Sequence, residues 1–244
     1  MVLLTEPVLL TIGLKGVLGL VTGSFVALAA QRVAQGRAWV SGRSTCDHCQ
    51  RPLGLVATTP LLGFALARGR CMTCGGAIGW LPTAAELCGL VVWLTPASSA
   101  EFLAGQVCLG LGLLYAALFD LHALRVPHWL NGLLLVPSAV LAVLADRLAA
   151  SLAAAGLALL ILMAARAYNR RRRGRDGLGG GDVRLIGVLM LALGPQAGAW
   201  MLAAATLAAG AWLRGWGRPV DHRLAFAPFL AASAWLIVIV GAVS

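Results

Sequence analysis

The 244-residue chain is 60% hydrophobic and 11% charged. Its mean hydropathy of +0.87 exceeds that of a water-soluble domain, whose apolar share is roughly half. That composition excludes an ordinary soluble enzyme. Nineteen basic residues against nine acidic ones give a net charge of +10, a balance that would ordinarily admit nucleic-acid binding. Topology and anionic lipid headgroups account for the arginines instead, so membrane lipids and no nucleic acid are the expected partners.

Apolar runs of helix length recur along the whole chain, and hydrocarbon does not tolerate an open sheet. The expected fold is all-α: a polytopic membrane helix bundle of about eight transmembrane helices. The runs cover roughly residues 8–30, 81–96, 101–119, 128–145, 148–165, 184–194, 197–213 and 225–243. The first run lacks a basic flank on its N-terminal side and is followed by a basic loop, which fits a retained helix better than a secretory signal. Expected domains are a first transmembrane helix at 1–30, a cytoplasmic cysteine-rich loop at 31–80 and a multi-helix membrane domain at 81–244.

Cytoplasmic connections collect Lys and Arg. With the N-terminus outside and eight crossings, the connections 31–80, 120–127, 166–184 and 214–224 fall on one side and hold 17 of the 19 basic residues, leaving only Lys15 and Arg147 elsewhere. Asp120 and Asp182 then both face the cytoplasm.

The loop after the first run carries Cys46-Asp47-His48-Cys49 and Cys71-Met72-Thr73-Cys74. Two C-x-x-C knuckles at this spacing point to a four-thiolate structural zinc site, with Gly75-Gly76 available for a tight turn. A reducing compartment disfavours the competing disulfide reading. Four cysteines leave no open coordination position, so the ion would brace the loop and His48 would not be needed. Cys88 and Cys108 lie inside apolar runs and read as small buried hydrophobes.

Asp120, in Phe119-Asp120-Leu121, sits at or just inside a helix end. It reads either as a catalytic acid or as a hydrated interfacial aspartate paired with Arg125. Asp182 follows Gly179-Gly180-Gly181. The glycines permit close backbone approach or positive φ, and Asp182 reads either as a catalytic acid or as an N-cap. If the two acids meet in a partly dry site they tend to share a proton. One could then activate water while the other polarises a carbonyl, which is chemistry suited to peptide hydrolysis. Among the other acids, Glu86 is the one retained, as a structural partner for the arginine-rich loop.

Together these features resemble the type IV prepilin peptidase family, bifunctional prepilin leader peptidases and N-methyltransferases, over nearly the full chain. Gly23-Ser24-Phe25 with Arg32, both cysteine knuckles, Pro82, Glu86, the Phe119-Asp120-Leu121 stretch with Pro127, Gly179-Gly180-Gly181-Asp182, and Phe226-Ala227-Pro228-Phe229-Leu230 carry the likeness. Gly23 and Ser24 read as close-packing residues rather than chemical groups. The chain departs from the pattern at Ala227, where glycine is common, at Arg184, where lysine is usual, at His128, where aspartate is common, and between Leu53 and Phe64, which lack the usual acid. The resemblance implies an aspartic endopeptidase of the bacterial inner membrane with Asp120 and Asp182 as catalytic residues. Prepilins or pseudopilins would be its substrates, cut on the cytoplasmic side. It also implies N-methylation with S-adenosylmethionine, although the glycine run lacks the strand and helix context of a nucleotide fingerprint. The rival readings are an intramembrane aspartyl protease for other substrates and a zinc-stabilised assembly or transport component. The sequence carries no signal of oligomeric state.

Overall fold

The computed structural model describes residues 6–40, 42–46, 48–174, 177–215 and 224–243. Asp47, Arg175, Asp176, Arg218, Asp221 and Arg223 lie outside the described residues. Among the described residues the chain is helical and contains no strand, in agreement with the all-α expectation. Its helices are α1 (Glu6–Ala34), α2 (Leu62–Leu66), α3 (Leu81–Leu94), α4 (Ala100–Ala123), α5 (His128–Leu144), α6 (Leu148–Arg173), α7 (Gly180–Leu193), α8 (Pro195–Gly215) and α9 (Ala227–Val243). All eight apolar runs are helices. Three of them, α1, α4 and α6, are long and apolar enough to cross a membrane.

Two compact units divide the chain, Met1–Leu94 and Thr95–Ser244. In the first, α1 and α3 pack at backbone distance. A Cβ on Gly19 would stand 2.7 Å from the Gly89 carbonyl oxygen, and one on Gly89 would stand 2.8 Å from Cα of Gly23. Only glycine permits that approach, a packing device well suited to a bilayer, where apolar area alone does not drive helices together. The packing role expected of Gly23 is therefore present. Ser24 Oγ donates to Glu86 Oε1 at 2.8 Å, and Trp93 Nε1 donates to Thr22 Oγ1 at 3.1 Å across the same seam.

Glu86 does partner the loop, through its backbone rather than through an arginine. Its second oxygen accepts the Leu61 N–H at 2.8 Å, so the buried carboxylate is satisfied by a serine hydroxyl and the loop backbone. Arg32, 5% exposed, is matched by carbonyls: it donates to Trp39 at 3.3 Å, Gly42 at 2.9 Å and Arg43 at 3.3 Å. The chain leaving α1 is thereby folded back toward the first cysteine knuckle.

The second unit is built around α7. Every residue of α7 from Leu185 to Leu193 is buried, and α5, α6, α8 and α9 pack on it while α4 packs on α5 and α9. A helix that is apolar all round belongs inside a bundle. At 14 residues α7 is only about 21 Å long, which suits an enclosed helix better than a lipid-facing one. By contrast α6 turns a wide apolar face outward, with Leu160 69% exposed.

Helix ends differ from the expected ones for local reasons. The basic run Arg170 to Arg173 continues α6 because arginine is a good helix former, and Gly174 ends it in the left-handed region at φ 65°. Pro195 begins α8 at the position where a missing N–H is harmless. Cys88 and Cys108 are exposed on their helices rather than buried.

Candidate active site

Asp120 lies one turn from the end of α4. Ser99 starts that helix by accepting the Phe102 N–H at 3.2 Å. Leu124, left-handed at φ 51°, ends it by returning its N–H to the Asp120 carbonyl at 2.8 Å. The Asp120 side chain is 3% exposed. Its Oδ2 accepts the N–H of Ala227, the first residue of α9, at 3.0 Å. Helix N-termini offer unpaired N–H groups and favour negative charge, so α9 supplies a ready anion partner. Arg125 is not the partner; its guanidinium lies 5.9 Å from the centre of the Phe119 ring.

Asp182 is the third residue of α7, and the N-cap is Gly179 at φ −60°, ψ 139°. The N-cap reading of Asp182 is therefore replaced by one in which its carboxylate lies over the cap. A Cβ on Gly179 would stand 2.7 Å from Asp182 Oδ2. Oδ1 of Asp182 is buried and has no hydrogen-bond partner. None of the three glycines has positive φ, so close approach is what they provide. A Cβ on Gly181 would stand 2.8 Å from the Val126 carbonyl oxygen, and Asn131 Nδ2 donates to the Gly181 carbonyl at 3.3 Å. The α4–α5 turn and α5 thus clamp the first turn of α7.

These contacts bring Asp120 and Asp182, 62 residues apart in the chain, to the same end of the second unit. One carboxylate receives a backbone donor and the other presents a bare oxygen. Two departures from the family pattern also meet nearby: Nη1 of Arg184 is hydrogen-bonded with Nδ1 of His128. Sequence reasoning missed Asn131 and the Ala227 N–H. Pro228 in the first turn of α9 was the available signal for the second, because proline there marks a helix start and hence free N–H groups.

In the first unit the Sγ atoms of Cys46, Cys49, Cys71 and Cys74 all lie within 4.8 Å of one another. The Cys46–Cys74 separation of 3.8 Å rules out a bond between them but equals the edge of a tetrahedron with ~2.3 Å metal–sulfur bonds. The two knuckles are built alike. Gln50 N–H returns to the Cys46 carbonyl at 2.9 Å and Gly75 N–H to the Cys71 carbonyl at 2.8 Å, with φ 58° at Gln50 and 71° at Gly75. The expected glycine turn exists in the second knuckle, and glutamine takes the same conformation in the first. Backbone N–H groups of Cys74 and Thr73 pull the Cys71 thiol down to about 6, while burial and the neighbouring thiols push Cys74 up to about 11, the opposed shifts of thiols crowded together. His48 stands outside the cluster, its Nε2 3.2 Å from the Ala77 carbonyl. The donor set fits a closed tetrahedral zinc site.

A membrane helix bundle with two carboxylates at one end and four clustered thiols in a polar loop has the outline of a membrane peptidase. Residues 17–99 match the Bacterial Peptidase A24 N-terminal domain and residues 107–214 match the Type IV leader peptidase family. The chain is 31% identical to a prepilin leader peptidase/N-methyltransferase of Bacillus subtilis (strain 168), over 92% of this chain and 92% of that protein. It is 31% identical to the protein of that name from Dickeya chrysanthemi over 78% of this chain and 70% of that one. For the one from Dichelobacter nodosus the identity is 28% over 82% and 71%. No solved structure matches. The chain belongs to the type IV prepilin leader peptidase family.

Proposed function

We propose that this protein cleaves the basic leader from type IV prepilins or pseudopilins at the cytoplasmic face of the bacterial inner membrane, with Asp120 and Asp182 as the catalytic pair. The observation that supports the reading is that both acids lie at one end of the second unit, Asp120 at the close of α4 and Asp182 in the first turn of α7. Asp120, with the Ala227 N–H on Oδ2, is suited to hold negative charge and take a proton from water. Asp182, whose Oδ1 has no partner, is suited to carry a proton and hydrogen-bond the scissile carbonyl. Water then adds to the carbonyl carbon, and the departing amine leaves as the proton returns from the pair.

The cytoplasmic placement is supported by charge. Arg125, Arg184 and Arg214 lie at the helix ends near the aspartates and the Arg166 guanidinium lies beside Gly180, whereas Arg147 is at the α5–α6 turn. A leader rich in basic residues would meet the acids at the boundary while the hydrophobic helix of the substrate stays in lipid. Zinc held by Cys46, Cys49, Cys71 and Cys74 would brace the loop, with no coordination site left for substrate.

Purified protein incubated with a prepilin tests the reading. Cleavage after the basic leader is expected, and cleavage within helices that lack a leader would favour a different substrate class. The relatives' names also include N-methyltransferase. Among the described residues the glycine run offers no cradle for S-adenosylmethionine, because Val126 and Arg166 crowd Gly181 and Gly180. The mass of the mature product, with and without that donor, tests methyl transfer separately from cleavage.

A further inference from the structure

At the end of the second unit remote from the aspartates, α4, α5, α7, α9 and the start of α8 at Ala197, with the turns before α4 and α6, surround a partly open cavity of about 540 Å³, within the roughly 300–1,000 Å³ of small-ligand pockets. Gln106 on its wall is 14 residues before Asp120 in α4, about 21 Å of helix. Ala192 is 10 residues beyond Asp182 in α7, about 15 Å. The cavity is therefore distinct from the acid pair.

Phe102, Leu109, Leu141, Leu193 and Ile237 make most of the wall apolar. Three polar atoms of its lining residues are shielded and lack partners: Oε1 of Gln106, a residue only 4% exposed, Nε of Arg147 and Nε1 of Trp235. Buried polar atoms are nearly always paired, so an unpaired cluster calls for a missing partner. Arg147 sharpens the requirement. Its Nη2 donates to the Ala192 carbonyl at 2.7 Å, and no carboxylate of the described residues pairs with it. Burial without a counter-charge lowers the guanidinium's hold on its proton.

Arg147 is also one of the two basic residues that the charge pattern leaves off the basic side of the protein. A cation kept there, half-buried beside an indole N–H and an apolar wall, matches an amphiphile with an anionic oxygen-rich part. We propose that the cavity binds one membrane phospholipid, whose phosphate or ester oxygens accept from Arg147 Nε and Trp235 Nε1 once these side chains turn toward it, and whose acyl chain lies along Phe102, Leu109 and Ile237. Gln106 Oε1 faces a donor of the headgroup.

Native mass spectrometry of the delipidated full chain tests this with phosphatidylglycerol and with a diacylglycerol of the same acyl chains. One phosphatidylglycerol per chain is expected, with the diacylglycerol held about tenfold more weakly or worse, as loss of charged hydrogen bonds implies. Trp235→Phe keeps the ring and removes one donor, and it should weaken the phosphatidylglycerol about fivefold. Ala197→Phe fills the cavity and should abolish binding. Melting temperature and leader cleavage, measured on the same preparations, report folding; if Ala197→Phe is unfolded, Trp235→Phe decides. Equal retention of both lipids, retention of neither, or phosphatidylglycerol binding unchanged in the folded variants would overturn the proposal.

Discussion

The N–H of Ala227 lies 3.0 Å from Oδ2 of Asp120, 107 residues earlier in the chain. This bond fixes the carboxylate by a backbone donor at the start of α9. It also makes Asp120→Asn a clean test, because the asparagine oxygen can still accept the same N–H while the charge disappears. Leader cleavage should fall by about 10²-fold or more, the usual contribution of a positioned acid or base. Asp182→Asn should show a loss of the same order. Circular dichroism and melting temperature should stay close to wild type in both. A folded variant of either kind that cuts a prepilin at the wild-type rate would remove the dyad from the mechanism.

Gly181 sets the depth of the first turn of α7. A Cβ there would press on the Val126 carbonyl at 2.8 Å and the Val126 side chain at 3.0 Å, and both belong to the turn that leads into α5. Gly181→Ala should therefore destabilise the protein by about 1–3 kcal/mol, the range for overpacking, and shift Asp182 away from Asp120. Cleavage should drop more than the melting temperature would account for. Gly180→Ala is the contrast: its Cβ would meet the end of the flexible Arg166 side chain, so its effect on stability should be smaller. Thermal melts and cleavage assays of the two variants side by side check the ordering.

Much of this is legible in the sequence. Eight apolar runs marked eight helices because hydropathy acts locally, and the cysteine spacing marked its own cluster. Asp182 was misplaced by three residues of helix, since consecutive glycines read as a breaker. Val126 and Asn131 hold Gly181 in the first turn instead. The donor to Asp120 has no sequence signature at all, because every residue except proline carries the same N–H. Glu86 followed a similar course: its acid character was visible, but its pairing with Ser24 and the Leu61 backbone depends on how α1 and the loop pack.

Four sulfurs within 4.8 Å predict one zinc ion per purified chain. Cys71→Ser should lower the metal content sharply, and strong chelation should do the same to the wild type. A loop of about 50 residues has little core of its own, so metal loss should open residues 35–80 to protease while the helical signal of the bundle persists. Elemental analysis and limited proteolysis measure the two effects. Full zinc occupancy in Cys71→Ser, or a loop equally protected without metal, would show that the thiols do not brace it.

His128 and Arg184 replace residues that are commonly aspartate and lysine in this family, and they touch each other through Nδ1 and Nη1. A guanidinium can only donate, so the imidazole must accept at Nδ1. The pair ties the start of α5 to the turn of α7 that carries Asp182, and both residues are exposed. Its worth should be modest, about 0.2–1 kcal/mol, as for other solvent-exposed charged contacts. His128→Ala and Arg184→Ala should each lower stability slightly, and the double variant should lose less than the sum of the two. His128→Asp should restore the tie by placing a carboxylate against the guanidinium. A double-mutant cycle on melting free energy reads the coupling directly. Strict additivity, with His128→Asp no better than His128→Ala, would mean that the two substitutions arose in contact but do not support one another.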